Sequence, residues 1–214
     1  MSIIKIYKNL LRQAGVISLL TIISFSALAS NDLKSIVDVA KIDLKRTLSQ
    51  AQNGDPESQT NLGMRYTYGY GVNKDYSKAF RWFKKAADQN YPEAQYHIGV
   101  MYSYGESITK DQAKAAKWYE KSANQGFTAA QNNLGLFYAQ GIGVPKDGIQ
   151  ALKWFTAAAN QGFGDAQYSL GVMYNTGDGV VENKAIAKKY FAQGCKNRNK
   201  SSCNAFLKLG QIIE

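Results

Sequence analysis

The sequence predicts an all-α protein: a right-handed α/α solenoid of about four helix–turn–helix repeats of 36 residues, with a capping helix at each end. A segment of Leu or Ile, then Gly, two variable residues and Tyr returns every 36 residues, starting at Leu62, Ile98, Leu134 and Leu170. A Gln before each copy and an Ala after it keep the same period: Gln59, Gln95, Gln131 and Gln167, then Ala79, Ala115, Ala151 and Ala187. Such self-similarity at a fixed period is typical of a stacked repeat array.

The first helix of each repeat is predicted from the spacing of its apolar residues. In the second repeat, Ala94, Ile98 and Tyr102 recur at i, i+4 and i+8 within residues 92–104, which is the period of an amphipathic helix. A Gly-x-Gly-Val segment then ends the helix, because glycine readily adopts the positive φ angles of a tight turn. Its copies are Gly69-Tyr70-Gly71-Val72, Gly141-Ile142-Gly143-Val144 and Gly177-Asp178-Gly179-Val180.

A second helix follows each turn. In the first repeat it is predicted over about residues 75–89, with Ala79, Trp82 and Phe83 on its buried face. Gly63 and Ala79 are small enough for the two helices to approach closely, and the aromatic side chains fill the space between the layers.

The periodicity divides the chain into four repeats and two caps. The repeats are expected at 54–89, 90–125, 126–161 and 162–199. Residues 30–53 place a row of apolar side chains on one helical face and are interpreted as an N-terminal capping helix. Residues 200–214 are interpreted as a C-terminal capping helix, because Phe206 aligns with Leu170 of the last repeat.

The first 29 residues predict export through the secretory pathway. Lys5, Lys8 and Arg12 precede an apolar run over residues 14–28, and the run ends in an A-x-A cleavage pattern at Ala29. The alternative is a membrane anchor, but the run is shorter than the roughly 20 apolar residues that a span requires. We therefore expect 1–29 to be a cleaved signal peptide, no stable membrane span in the mature chain, and a periplasmic or secreted protein.

The mature chain is expected to be moderately basic. Removing the three cations of the signal segment leaves 23 of 26 basic residues against 16 acidic residues, a net charge of +7. Many of these cations lie on second helices, as in Lys78, Lys114, Lys117 and Lys121. One interpretation is a solvated face, and the other is attraction to an anionic cell-envelope polymer, lipid or acidic partner. No groove-reading motif points to nucleic acid.

The repeated residues resemble the Sel-1-like repeat family, a relative of the tetratricopeptide repeats. The third repeat carries the pattern most fully: Ala130, Leu134, Gly135, Tyr138, Gly141, Gly143, Val144, Asp147, Ala151, Trp154, Phe155, Ala158, Ala159 and Gly162. The second repeat departs from it with Ser107 at the second turn glycine, and the fourth with Tyr190 in place of Trp and Asn183 in place of Asp. The resemblance implies a scaffold for protein interaction, in roles such as envelope signalling or host interaction.

Cys195 and Cys203 are the two cysteines of the chain. An exported protein with two cysteines at this spacing is expected to form a disulfide, whereas a redox-active pair usually has a shorter spacing. The pair also resembles that of cysteine-rich secreted members of the same family. That resemblance implies a bridge from the second helix of one repeat to the next helix.

No catalytic constellation, cofactor site or metal site is predicted. His97 is the one histidine, and it aligns with Asn61, Asn133 and Ser169, so it is expected to be a variable, polar and exposed residue. Ser107-Ile108-Thr109-Lys110 fits the S-x-x-K motif of serine β-lactamases, and the family resemblance includes members associated with penicillin binding. The S-D-N and K-T-G companion motifs are absent from the sequence, which favours a chance match.

A partner surface is predicted on the side of each first helix opposite its buried Leu. The family resemblance implies that this side is the concave face of the solenoid. Residues there differ between copies and mix Tyr, Asn and aliphatic side chains, which suits an extended peptide or a protein edge. For Met64, Val100, Leu136 and Val172, packing against adjacent first helices is the alternative. The predicted contact residues are Asn61, Met64, Tyr68, Tyr96, His97, Val100, Tyr104, Asn132, Asn133, Leu136, Tyr168 and Val172.

The sequence thus favours an exported, non-enzymatic interaction scaffold that binds a protein or peptide. A cell-wall-related enzyme or binder, β-lactamase-like or peptidoglycan-binding, is the alternative. The identity of the partner and the oligomeric state do not follow from the residues.

Overall fold

The computed structural model describes residues 42–210. The expected signal peptide at 1–29, the first part of the N-terminal cap and the last four residues of the C-terminal cap lie outside the described residues. All regular secondary structure in the described part is helical, and ten helices follow one another. They are α1 (42–52), α2 (Pro56–Tyr68), α3 (Tyr76–Asp88), α4 (Pro92–Tyr104), α5 (Gln112–Asn124), α6 (Thr128–Gln140), α7 (Gly148–Asn160), α8 (Gly164–Thr176), α9 (Lys184–Lys196) and α10 (Lys200–Gly210).

The chain divides into two compact units, Met1–Trp82 and Phe83–Glu214. In the second unit, the helices from α4 to α10 pack in chain order, each against the next. Pairs of antiparallel helices that contact only near neighbours are the arrangement of a solenoid. The predicted α/α solenoid is therefore confirmed.

The turn glycines and the residues that begin the second helices set the boundaries of these helices. The glycine after each first helix has a positive φ between 70° and 77°, as predicted, and its N–H donates to the last turn: Gly69, Gly105, Gly141 and Gly177. Asp111 and Asp147 cap α5 and α7, because their carboxylates accept backbone N–H groups of the first turn. Asn183 caps α9 in the same way, so its departure from the repeat pattern preserves the cap.

The first and second helices of a repeat approach closely at the Leu-Gly pair that recurs along the sequence. A Cβ atom added to Gly135 would lie 2.7 Å from ring atoms of Phe155, and one added to Gly171 would lie 2.4 Å from the ring of Phe191. Each ring thus rests directly on the backbone of its paired first helix. Glycine is required by space at these two positions, where the first and second helices of the third and fourth repeats approach closely.

The Gln that leads each repeat is buried, and in the third and fourth repeats it connects neighbouring repeats. Gln131 Nε2 donates to the carbonyl oxygen of Ala123 (3.2 Å), at the end of the preceding second helix. Its Oε1 accepts from Gln161 Nε2 (2.8 Å), at the end of its own repeat. Gln167 makes both bonds one repeat later. A buried side-chain amide must be paired to avoid a desolvation penalty, so this Gln fixes the stacking of successive repeats.

The disulfide Cys195–Cys203 takes the place of this hydrogen bond at the end of the stack. Cys203 lies 36 residues after Gln167, and Cys195 lies 36 residues after Ala159, whose carbonyl Gln167 binds. The bridge joins α9 to α10, so both the predicted pairing and its predicted position are confirmed. A covalent bond thus joins the fourth repeat to α10, the last helix of the described residues.

Candidate binding face

The predicted contact residues of the second unit lie on α4, α6 and α8. They occupy equivalent positions in consecutively packed repeats, and therefore share one side of the unit. We call this side the first-helix face, defined by Tyr96, His97, Val100, Tyr104, Asn132, Asn133, Leu136, Tyr168 and Val172.

Tyr104 is the most exposed member of the first-helix face. Its side chain is 74% exposed at the last residue of α4, one residue before the turn glycine Gly105. An exposed tyrosine offers apolar area and a polar tip at a low conformational cost. The residues at the same position in the next two repeats, Gln140 and Thr176, are also exposed. This edge of the face is therefore open for contact.

Tyr96 is packed into an aromatic cluster. Its ring centroid lies 5.2 Å from that of Phe127 and 5.8 Å from that of Tyr119, and Tyr119 in turn meets Phe137 edge-on at 5.2 Å. Tyr96 is half-buried by these contacts. It forms part of the floor of the face, so its substitution would disturb packing as well as any contact with a partner.

His97 lies in the same cluster, and the expectation that it is exposed is wrong. Its ring stacks on Phe83 with centroids 4.6 Å apart and meets Tyr96 edge-on at 5.3 Å. Burial lowers its pKa to about 4, so the imidazole is neutral near pH 7. The aromatic neighbours offer it apolar packing, which explains why a position occupied by Asn or Ser in the other repeats accepts a ring here.

Tyr119 connects the core to the polar part of the face. Burial raises the pKa of its phenol, while hydrogen bonds with Asn133 and Ser103 oppose that shift. Ser103 Oγ donates to Gln112 Oε1 (3.3 Å), so the network reaches the start of α5. The phenol therefore positions the half-buried Asn133 amide at the centre of the face. Phe83, Phe155 and Phe191 occupy the equivalent position in the other repeats. Tyr119 was not among the predicted contact residues, although its hydroxyl distinguishes it from these phenylalanines in the sequence.

Asn132 does not line the surface as predicted. It is only 6% exposed, and its Oδ1 is buried without a hydrogen-bond partner. Thr60, at the same position of the first repeat, is also buried, and its hydroxyl donates to the carbonyl oxygen of Pro56 (2.8 Å). Alignment with the half-buried Tyr96 and Tyr168 suggested an accessible side chain. A short side chain at this position stays below the surface that a tyrosine reaches.

The aliphatic members of the face are partly used in packing. Val100 packs against the buried cluster of the second and third repeats, Leu136 against that of the third and fourth, and Val172 with Tyr168 against that around Phe191. All four remain half-buried and not fully enclosed. They thus serve the core and also present a partial apolar surface.

The predicted contact residues of the first unit are Asn61, Met64 and Tyr68. Asn61 is exposed and Met64 is half-buried on α2. Tyr68 is 56% exposed and stacks on Tyr70 with ring centroids 5.3 Å apart. This aromatic pair is an accessible feature of the first unit by itself.

The S-x-x-K segment lies in the turn between α4 and α5. Ser107 is exposed and adopts a positive φ of 62°, where other repeats have glycine. Lys110 is exposed, and its Cβ lies against the turn glycine Gly105. The pair thus occupies a surface turn, whereas the lactamase serine begins a helix. Within residues 42–210, no group of three or more His, Cys, Asp or Glu side chains is placed to hold a metal ion.

A family model described as the Sel1 repeat matches four consecutive segments of the chain, 56–91, 92–127, 128–163 and 164–199. The chain belongs to the Sel1 repeat family. Each matched Sel1 segment begins with the first residue of a first helix, two residues after the predicted repeat boundary. The Sel1 repeat is a scaffold fold commonly used in protein interaction and is generally non-enzymatic.

Solved structures of other proteins share the fold. A protective antigen of uropathogenic Escherichia coli strains, described as having an SLR fold, is 38% identical with a TM-score of 0.73; the match covers 76% of this chain and 35% of that one. A Sel1 repeat protein from Oxalobacter formigenes is 28% identical with a TM-score of 0.72, covering 82% and 72%. An immunity protein from Pseudomonas aeruginosa is 26% identical with a TM-score of 0.53, covering 78% and 60%. No curated protein matches the chain.

Proposed function

We propose that this Sel1 repeat protein is an exported, non-enzymatic scaffold that holds an extended segment of another protein on the first-helix face of its second unit. The observation that carries the proposal is that this face combines an exposed aromatic side chain with half-buried ones. Tyr104 is exposed, and the neighbouring Tyr96, Val100 and Asn133 are half-buried and form the floor of the face. A rigid floor with one protruding aromatic is the arrangement in which a few side chains supply most of the binding energy.

Two features support export. The apolar segment at 14–28, with cations before it and an A-x-A pattern after it, is typical of a secretory signal. The Cys195–Cys203 disulfide fits an oxidising compartment, because cytosolic proteins are generally kept reduced. We place the mature protein in the periplasm or outside the cell, in contact with envelope or host proteins.

Site-specific photocrosslinking in the producing cell tests the binding face. A photoreactive phenylalanine analogue replaces Tyr104 in one variant and Gln193 in another, since Gln193 is exposed on a second helix of the same unit. We expect a discrete protein adduct from position 104 and none from position 193. Protein adducts from position 193 alone would refute the assignment of the first-helix face.

Binding by the captured partner is then measured with purified Tyr104→Ala. This substitution removes an exposed side chain, so the helical circular dichroism and melting temperature are expected to stay unchanged while affinity falls by at least about tenfold. Thr176→Ala is the matched control, because it alters an exposed residue at the same position two repeats away. Unchanged affinity of Tyr104→Ala would contradict the proposal.

A further inference from the structure

Charge is segregated between the two helix layers of the second unit. The second helices α5, α7 and α9 contain eight lysines and one acidic residue, Glu120. The first helices α4, α6 and α8 contain two acidic residues, Glu93 and Asp165, and no lysine or arginine. The three second helices therefore have a net charge of +7 and the three first helices one of −2, so the cations lie on a layer distinct from the first-helix face.

Three of these lysines form a row across successive second helices, α5, α7 and α9. Lys117, Lys153 and Lys189 occupy the same position in three consecutive repeats, and all are exposed. Within residues 42–210, none of them makes an ion pair with a carboxylate. Lys153 Nζ lies 4.7 Å from the ring centroid of Trp154, which orients the ammonium without neutralising it. We call these three residues the lysine row.

Two exposed aliphatic side chains lie beside the lysine row. Ile149 precedes Lys153 by one helical turn, so both lie on the same side of α7, and it is 74% exposed. Val181, in the turn before α9, is 88% exposed. The start of α7 touches the turn before α9, because a Cβ on Gly148 would lie 2.5 Å from the Cα of Gly179. Their contact brings both aliphatic residues to one edge of the cationic side.

We propose that the lysine row, with Ile149 and Val181, is a docking surface for anionic phospholipid headgroups at a membrane surface. A row of uncompensated lysines complements a negatively charged lipid layer, and each lysine near such a layer contributes about fivefold to binding. Exposed aliphatic residues beside the cations suit the boundary between headgroups and acyl chains. An acidic polymer in water would pair with the lysines but would gain little from Ile149 and Val181.

This surface is compatible with the structure in two further respects. Within residues 42–210, no helix combines the length and hydropathy that crossing a bilayer requires, and peripheral docking needs no such helix. Docking through the second helices also leaves Tyr104 and the rest of the first-helix face open. The same molecule can therefore hold a protein partner while resting on a lipid surface.

Vesicle co-sedimentation of the purified, processed protein tests the proposal. Vesicles of phosphatidylcholine alone give the baseline for every variant, and vesicles that also contain phosphatidylglycerol give the signal. We expect the combined substitution Lys117→Gln, Lys153→Gln and Lys189→Gln to lower partitioning to the anionic vesicles about a hundredfold. The matched control is Lys110→Gln, Lys200→Gln and Lys208→Gln, which removes the same charge from exposed positions outside the row. This control is expected to keep most of the binding.

A second comparison separates lipid from a soluble polyanion. Ile149→Ser with Val181→Ser is expected to weaken vesicle binding about tenfold and to leave binding of soluble polyglutamate unchanged. The lipid proposal is overturned if both lysine triples lose binding equally, since net charge alone would then explain it. It is also overturned if the Ser variant binds vesicles like the parent while polyglutamate competes fully, which would identify an acidic polymer as the ligand. Circular dichroism confirms folding of each variant.

Discussion

His97 is the one histidine of the chain, and its ring lies against those of Phe83 and Tyr96. Its position aligns with polar residues in the other repeats, and that alignment predicted exposure. The prediction failed because the ring packs on Phe83 of the preceding second helix, a contact that a shorter side chain would not make. Residue type at an aligned position thus does not determine burial when the neighbouring aromatic residues offer a surface to stack on.

Replacing this residue by the polar residue of the equivalent positions, His97→Asn, should change the acid stability of the protein. The folded-state pKa of His97 is about 4, below its unfolded value near 6.5, so the unfolded state binds more protons between these values. The stability that depends on a neutral His97 is therefore fully present above about pH 6.5 and is lost as the pH falls toward 4. For one proton, the free energy of unfolding changes by at most about 1.4 kcal/mol per pH unit.

Urea unfolding of parent and His97→Asn between about pH 5 and 7 measures this difference, because carboxylates titrate mainly below that range. The parent should lose stability as the pH is lowered, and the variant should lose less. Parallel pH profiles would show that His97 titrates alike in the folded and unfolded states.

At the scale of elements, two repeat interfaces of the second unit are bridged by a glutamine side chain, and the interface at the end of the stack is bridged by a disulfide. Gln131 and Gln167 each donate to the carbonyl oxygen eight residues earlier, and Cys203 is bonded to Cys195 at the same spacing. The repeated Gln residues were visible in the sequence, but their role was not. A hydrogen bond to a backbone carbonyl depends on how the helices stack, and no side-chain partner marks it in the sequence.

This equivalence predicts that a glutamine can replace the disulfide in part. Removing the bridge by Cys195→Ala with Cys203→Ala should lower the free energy of unfolding by about 2–3 kcal/mol, from the entropy of the short loop it closes. Cys195→Ala with Cys203→Gln restores the Gln-to-carbonyl bond of the other repeats, which should recover about 1 kcal/mol.

Chemical denaturation under non-reducing conditions compares the two variants with the parent. The parent is also unfolded with a thiol reductant present, which should bring its stability to that of the double alanine variant, while neither variant should respond to the reductant. A Cys203→Gln variant no more stable than Cys203→Ala would mean that the last interface does not accept the hydrogen bond of the other repeats.

At the scale of the molecule, the sequence predicted the architecture well because each repeated residue acts within its own repeat or on the next one. The 36-residue period, the turn glycines and the Leu-Gly pairs report local packing, and local packing repeated along the chain is the solenoid. The binding face was predicted less well. Asn132 is buried and Tyr96 is packed, because depth below a surface depends on side-chain length and on neighbours from adjacent repeats.

The packing of the second unit predicts that a local defect stays local. Helices α4 to α10 contact mainly their neighbours in the chain, so stability is approximately a sum of repeat and interface terms. Gly171→Ala forces a Cβ to within 2.4 Å of the Phe191 ring and should destabilise its repeat by about 1–3 kcal/mol. Amide hydrogen exchange should then rise in α8, α9 and α10, while α4 and α5 keep the protection of the parent.

Gly99→Ala is the matched variant at the other end of the unit. Its Cβ would lie 2.7 Å from the Tyr119 ring, so the same kind of clash should accelerate exchange in α4 and α5 and leave α9 and α10 protected. Gly210→Ala, with no atom within 4 Å of its Cβ, controls for the substitution itself. If either clash raised exchange uniformly from α4 to α10, the second unit would unfold as one cooperative body, and the nearest-neighbour description would fail.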